Sequence, residues 1–299
     1  MKKWLALAVA LVVACSAFAQ DAPGAKDFLA GQEAMKTNNF DAAIPALEKA
    51  VSANPDLFAG YYYLGFAYRA KKTWDKSADN FSKFLAKAGN DPKAAEMVGH
   101  ATREGGLAYA RASEPAKAVP LLEKAVSSKP NDKEAQYFLA IALMQTKREA
   151  QAEPVFAKVI QLDAALPRPY YYAGRINFNR QEWEKAYERL NKFLELKPDD
   201  SFAPDAHFMV GSIAVRNAEG SSDPAAAASA VMHLEAFLAA KPNAPQSPQA
   251  HYILGSLAAQ AEDNAKAKMH FEAYIQLEPN GAQAEEVKKF LADLSAAGP

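Results

Sequence analysis

The segment YYYLGFAYRAKKTWDKSADNFSKFLAKAG, residues 61–89, can be laid over YYYAGRINFNRQEWEKAYERLNKFLELKP, residues 170–198. The triple tyrosine, Gly65 with Gly174, Trp74 with Trp183, Phe84 with Phe193 and Leu85 with Leu194 all coincide. Two stretches of one chain that agree in this way are copies of a single structural unit. Three successive residues on a helix point about 100° apart, so the three rings cannot serve one surface and each needs its own place.

Working outward from this pair, seven copies can be placed. They close on Pro55, Gly89, Pro130, Ala164, Pro198, Pro242 and Pro279, at intervals of 34, 41, 34, 34, 44 and 37 residues. The first half of each copy carries a small residue at one equivalent place: Gly31, Gly65, Gly106, Ala140, Gly174, Gly211 and Gly255. The second half does the same with Ala43, Ser77, Ala118, Ala152, Ala186, Ala230 and Ala267. Glycine inside a helix costs roughly 0.5–1 kcal/mol against alanine, so its recurrence at fixed phase implies that two helices must approach closely there. Four residues after the second small position stand Leu47, Phe81, Leu122, Phe156, Leu190, Leu234 and Phe271, and three further on Ala50, Phe84, Ala125, Val159, Phe193, Phe237 and Tyr274. Offsets of four and seven keep these on one helical face, the stripe that an antiparallel helix pair must bury. The closing prolines cannot continue a helix and turn the chain into the next copy.

This pattern resembles the tetratricopeptide repeat, a 34-residue helix-turn-helix unit. The resemblance implies an all-α fold, a right-handed helical-repeat solenoid of units 27–57, 58–91, 92–132, 133–166, 167–200, 201–244 and 245–279. The amphipathic stretch AQAEEVKKFLADLS after Gly281 is expected to form a capping helix over 282–295. Two insertions break the period. PKAAEMV (92–98) is expected to lengthen the first helix of the third unit, and RNAEGSSDPAAAA (216–228), with its Gly, Ser, Asp and Pro, to form a loop between the helices of the sixth. Proline-rich joints stand at 202–204 and 243–248.

The faces of the first helix can then be assigned. Tyr61, Gly65 and Tyr68 share the face that carries the repeat signature, so Tyr61 is expected to pack; Tyr63 falls between neighbouring units. Tyr62 shares the next face with Phe66 and Arg69, and in the family this face lines the concave groove. The equivalent places are Phe28, Tyr62, Arg103, Tyr137, Tyr171, Phe208 and Tyr252, with Arg168, Arg175 and Phe178 further along the same face. Aromatic rings beside arginine are frequent anchors of protein contacts. The candidate partner-binding residues are therefore Tyr62, Phe66, Arg69, Tyr137, Tyr171, Arg175, Phe178, Phe208 and Tyr252; the alternative, that these rings only pack against the adjacent unit, stays open. The family's lysine and asparagine clamp for a terminal carboxylate is not carried over, since Phe66, Ile141 and Arg175 stand at its places.

Composition narrows the function further. The chain of 299 residues is 50% hydrophobic and 23% charged with a formal charge of −1, a globular balance that lacks the basic footprint of a nucleic-acid binder. No phosphate loop, G-x-S-x-G, H-E-x-x-H or C-x-x-C pattern occurs, so neither catalysis nor a cofactor is expected. An enzyme acting on a sugar or peptidoglycan strand in the groove would need a paired acid and base that the pattern does not offer. His207 with His251, and His233 with His270, hold equivalent places in units six and seven; such places sit a whole unit apart, and no metal site is expected from them.

The N-terminus, MKKWLALAVALVVACSAFAQ, has two lysines, an apolar run from Trp4 to Ala14 and small residues around Phe18. It reads as a secretory signal peptide over 1–19 with a mature start at Gln20 and a linker over 20–26, and as too short for a spanning helix. A second reading takes Val12-Val13-Ala14-Cys15 as a relaxed lipobox, with Cys15 lipidated on an outer-membrane lipoprotein that acts as a pilotin or secretion accessory. Cys15 is the one cysteine, so a chain processed at Gln20 has no thiol and no disulfide. FLAAKP (237–242) followed by SPQAHYILG (247–255) is similar to the repeats of bacterial envelope proteins, among them the division coordinator that accompanies the Tol-Pal system and outer-membrane assembly lipoproteins. The resulting expectation is an exported, periplasmic or secreted, non-enzymatic scaffold for cell-envelope assembly or division. Its partner would be a protein or peptide, with self-association as a further possibility and no direct membrane span.

Overall fold

A computed structural model of the chain describes residues 22–89, 91–221 and 224–296. The segment read as a signal peptide, with Cys15 and the Gln20 start, lies outside the described residues. The described residues are all-α: fifteen α-helices and one short 3₁₀ turn, with no strand among them. Each repeat is a helix pair. In order these are α1 (Ala25–Lys36) with α2 (Phe40–Ala53), α3 (Phe58–Ala70) with α4 (Trp74–Ala88), α5 (Ala95–Arg111) with α6 (Pro115–Ser128), and α7 (Lys133–Gln145) with α8 (Glu149–Leu162). There follow α9 (Pro167–Asn179) with α10 (Trp183–Leu196), α11 (Ala203–Ser221) with α12 (Pro224–Ala240), α13 (Ser247–Gln260) with α14 (Asn264–Leu277), and a last helix α15 (Ala284–Ala296). The helices gather into two compact units, the first through Leu162 with repeats one to four, the second from Asp163 with repeats five to seven and α15. Both proline-rich joints lie inside the second unit.

The recurring small residues do what their phase demands. A Cβ placed on Gly65 would lie 2.8 Å from the Phe81 ring, and one on Gly31 would lie 2.6 Å from Leu47 Cγ. The same bulky position faces Gly106, Gly174, Gly211 and Gly255. Ala43, Ser77, Ala118, Ala152, Ala186, Ala230 and Ala267 are wholly buried, and Leu47, Phe81, Leu122, Phe156, Leu190 and Leu234 with them. Ser77 satisfies its hydroxyl by donating to the Gly65 carbonyl at 2.8 Å, so a polar side chain is tolerated at the contact.

The turn between the two helices of a repeat is equally uniform. Asn38, Lys72, Ser113, Lys147, Gln181 and Glu262, in repeats one to five and seven, all adopt a left-handed backbone with φ between 57° and 60°. The following amide then reaches back to the helix: Thr73 N–H donates to the Tyr68 carbonyl, and Glu182 N–H to that of Asn177, each at 2.9 Å. Asn39 and Asp263 cap second helices by accepting from the amides of Ala42 and Lys266, and Asp132 caps α7 through Ala135.

The insertions resolve differently from each other. That at 92–98 is shared between the 3₁₀ turn Pro92–Ala94 and α5, which at 17 residues outruns α3, α7 and α9 at 13 each. The described residues of the expected loop at 216–228 are instead helical: α11 continues to Ser221 and α12 begins at Pro224, giving helices of 19 and 17 residues. Four alanines at 225–228 are strong helix formers, and Pro224 sits at the first helical position where its missing N–H costs nothing, so the stretch after the proline is helix rather than loop. The final helix buries Ala284 and Val287 against Phe271 and Tyr274, covering the apolar end of repeat seven.

Candidate functional site

The overlong helices of repeat six border a cavity in the second unit. Residues of their extra turns line it together with residues of α13, while α11 and α13, the first helices of repeats six and seven, meet only weakly. The space left is a cavity of about 770 Å³, within the range typical of ligand sites. Ala218, Pro224 and Ala227 from the insertion form one wall; Ile253 and Leu257 of α13 and Phe290 of α15 supply most of the remaining apolar surface. Among the described residues Glu286 is the one charged residue of the lining. Its carboxylate accepts a hydrogen bond of 3.4 Å from the Tyr252 hydroxyl, and burial, followed by this carboxylate, raises the Tyr252 pKa.

The nine residues read as a binding face fall into different environments. Tyr252 lines the cavity. Tyr62 and Tyr171 lie in cores, 9% and 3% exposed. Tyr62 is wedged among Phe66, Phe81 and Phe84 with ring centroids 4.9–6.3 Å away, its hydroxyl 3.5 Å from His100 Nδ1, and Tyr171 stacks on Phe202 at 4.6 Å with the rings 4° from parallel. Burial raises the pKa of both tyrosines. Tyr61, expected to pack, does so from the edge of the same core, half-buried, with Lys83 Nζ 6.0 Å above its ring. The reason is geometric: a first helix is covered by its own partner and by the next repeat, so two faces are buried rather than one, and Tyr62 stands between them. Tyr63 does lie between repeats, edge-on to Phe28 at 5.8 Å. Phe66, Tyr137, Phe178 and Phe208 are half-buried, against Phe81, Phe156, Trp183 and Phe237 respectively. Arg175 stands 5.9 Å from the rings of both Tyr171 and Tyr172.

Arg69 belongs to a charged network that spacing alone did not reveal. Its Nε lies 3.1 Å from Oε2 of Glu104, a carboxylate 1% exposed whose Oε2 gains an ion pair there without hydrogen-bond geometry. Arg103 binds the other oxygen of Glu104 at 2.6 Å, both oxygens of Asp132 at 2.5 and 3.1 Å, and Glu134 at 2.8 Å. Arg111 reaches Glu134 at 2.6 Å and lies between Trp74 and Phe138. Burial opposes the charge of Arg103, but its bonds to Asp132 and Glu134 outweigh that and raise its pKa; burial likewise acts against Asp132 and Glu134, whose pKa values the arginine bonds pull down. The hint in the sequence was Arg103 itself, the one cation in a series of aromatic places.

The histidines also pair in a way the spacing did not show. Within repeat six, Nδ1 of His207 lies 2.7 Å from Nδ1 of His233; within repeat seven, His251 and His270 repeat the contact at 3.0 Å. Equivalent histidines are a repeat apart, as expected, but the two series meet across each helix pair. Burial lowers all four pKa values, that of His233 to about 4. Each pair is thus neutral, one ring donating N–H and the other accepting. Among the described residues no group of three or more His, Cys, Asp or Glu could hold a metal ion.

Models of the tetratricopeptide repeat match residues 28–94, 109–163 and 248–280, about half of the chain in all. The chain belongs to the tetratricopeptide repeat family. Members of this family are typically non-enzymatic scaffolds for protein and peptide interactions. Among solved structures, the tetratricopeptide protein YrrB, described as having an unusual peptide-binding site, is 24% identical with a TM-score of 0.53 over 66% of this chain and 97% of its own. The C-terminal part of a repeat-containing protein from Cytophaga hutchinsonii is 15% identical, with a TM-score of 0.57 over 87% of this chain and 98% of its own. A variant of MamA is 20% identical at a TM-score of 0.50, over 60% and 94%. These likenesses establish the shared fold. Among the described residues no helix is long and apolar enough to cross a membrane.

Proposed function

We propose that this tetratricopeptide repeat protein is an exported scaffold that holds a protein or peptide partner in cell-envelope assembly or division. The observation that carries the binding half of this reading is the cavity between repeats six and seven, lined by apolar side chains together with Tyr252, Ser256, Gln260 and Glu286, and flanked by an insertion that breaks the repeat period. An array that only needed to stack would gain nothing from the two overlong helices. The export half is supported by the lysines, apolar run and A-F-A site of residues 1–19, and the envelope setting by the similarity of 237–255 to envelope repeats. In-cell crosslinking through a photoreactive residue at Ile253 tests the binding. A defined partner band that disappears when the cavity is filled supports it; adducts only with the chain itself would favour self-association instead.

The lipoprotein reading remains the second, on the Val12-Val13-Ala14-Cys15 sequence. The intact mass of the mature protein separates the two: a chain starting at Gln20 has lost Cys15, whereas a pilotin-like lipoprotein begins at an acylated Cys15.

A further inference from the structure

Resting on the peptide-binding reading, the structure also indicates which kind of peptide fits. The cavity offers few partners to a backbone. Ser256 already donates its hydroxyl to the Tyr252 carbonyl at 2.9 Å, the Tyr252 hydroxyl is turned to Glu286, and Gln260 is the one amide side chain of the lining among the described residues. An extended strand laid here would set much of its row of N–H and C=O groups against Val215, Ile253, Leu257 and Phe290, whose side chains form no hydrogen bonds, and only at the polar edge, by Gln260 and Glu286, would it find partners. A helix satisfies those groups internally and needs from its host only an apolar surface. Charge decides the rest. Glu286 is negative and has the Tyr252 hydroxyl, a neutral donor, at its side; a cation on the occupant would complete it.

We propose that the cavity between repeats six and seven takes a basic amphipathic helix, its apolar face against Ile253, Leu257 and Phe290 and a lysine or arginine over Glu286. The helix would therefore be read by one charge and one apolar stripe.

The test uses the full mature chain and two synthetic helix-forming peptides with the same leucine spacing, one with lysines on its polar face and one with glutamates. Binding is followed by fluorescence anisotropy at low salt. The lysine peptide is expected to bind roughly three- to tenfold more tightly, with the difference shrinking as salt rises. Glu286→Gln, on an exposed helix face, should remove most of that preference while leaving the melting curve unchanged. Ala227→Trp, which adds a ring at the cavity wall, should weaken both peptides. Equal binding of the two peptides, or a preference that survives Glu286→Gln, overturns the charge assignment while leaving a peptide-binding scaffold in place. Binding of both peptides that is unaffected by Ala227→Trp, in a variant shown to be folded, overturns the cavity as the site. If neither peptide binds while Ile253 crosslinks a partner in cells, the basic-helix assignment fails and the scaffold reading stands; if neither occurs, both fail.

Discussion

Mild acid should unfold the second unit ahead of the first, through its two histidine pairs. His207 and His233 face each other across α11 and α12, and His251 and His270 across α13 and α14. The charged or titratable groups acting on them are few: His207 on His233, His270 on His251, and Lys266 on His270, all disfavouring a second positive charge after burial itself. His233, only 5% exposed, has its pKa lowered from 6.5 to about 4. The folded state therefore prefers the neutral ring, and the unfolded state binds the proton first. The stability that this preference protects is fully present above about pH 6.5 and is lost as pH falls toward 4. At about 1.4 kcal/mol per pH unit for one proton, His233 alone removes roughly 2 kcal/mol between pH 6.5 and 5, a range in which ordinary carboxylates remain largely charged.

Tryptophan fluorescence separates the two units, because Trp74 lies in the first and Trp183 in the second, the latter edge-on to Phe178 and beneath Arg216. In a mature Trp74→Phe chain the urea midpoint should fall by about 1 M between pH 7 and 5, taking ordinary denaturant slopes. The fall should be smaller in a Trp183→Phe chain, whose first unit holds one lowered histidine, His100. His233→Gln with His270→Gln should flatten the pH dependence of the Trp183 signal. If stability instead rose on acidification, each pair would be sharing a trapped proton and the reasoning would be refuted. A fall that persists undiminished in the double variant would refute it equally.

Four further outcomes follow from the packing. Gly65→Ala should destabilise the first unit by roughly 1–3 kcal/mol, since its methyl would meet the Phe81 ring, and urea unfolding of the Trp74 signal measures it. Tyr171→Ala should cost about 3 kcal/mol by emptying a fully packed site, whereas Tyr252→Ala, at the cavity edge, should alter stability less and peptide binding more; melting curves and anisotropy read the two. Ser113→Gly should raise the urea midpoint, gaining up to about 1 kcal/mol by relieving a left-handed backbone. Arg103→Met should cost roughly 3–5 kcal/mol in the same assay, because it leaves Glu104 buried beside Asp132 and Glu134 without their shared cation.

How much of this was legible depends on whether a contact is local in sequence. The fold was, because the nesting of two helices is set by residues within one repeat: Gly65 and Phe81 are 16 positions apart and recur in register, so a steric demand becomes a visible period. The environment of Tyr62 was not, because its burial depends on α5 of the next repeat, and an offset rule for one helix counts one buried face where two exist. The histidine pairs escaped for a related reason. His207 and His233 were compared with their equivalents in the next repeat, along the array, whereas they meet across it.

The cavity shows the opposite case, in which a departure from the period carries the information. Gly220, Ser221 and Pro224 looked like a loop between α11 and α12, and a loop would have left the first helices of repeats six and seven free to close on each other. Because the alanines after Pro224 sustain helix, Ala218, Pro224 and Ala227 stand on helices and wall a space that Leu257 and Phe290 also line. Deleting seven residues from this stretch should thus bring Gly211 and Ala230, 19 positions apart, back to the 12 that separate Gly65 from Ser77 and their equivalents, let α13 approach α11, and abolish peptide binding while leaving the second unit at least as stable. Loss of folding on that deletion would mean the long helices are needed for the stack itself, and the functional argument from the insertion would fall.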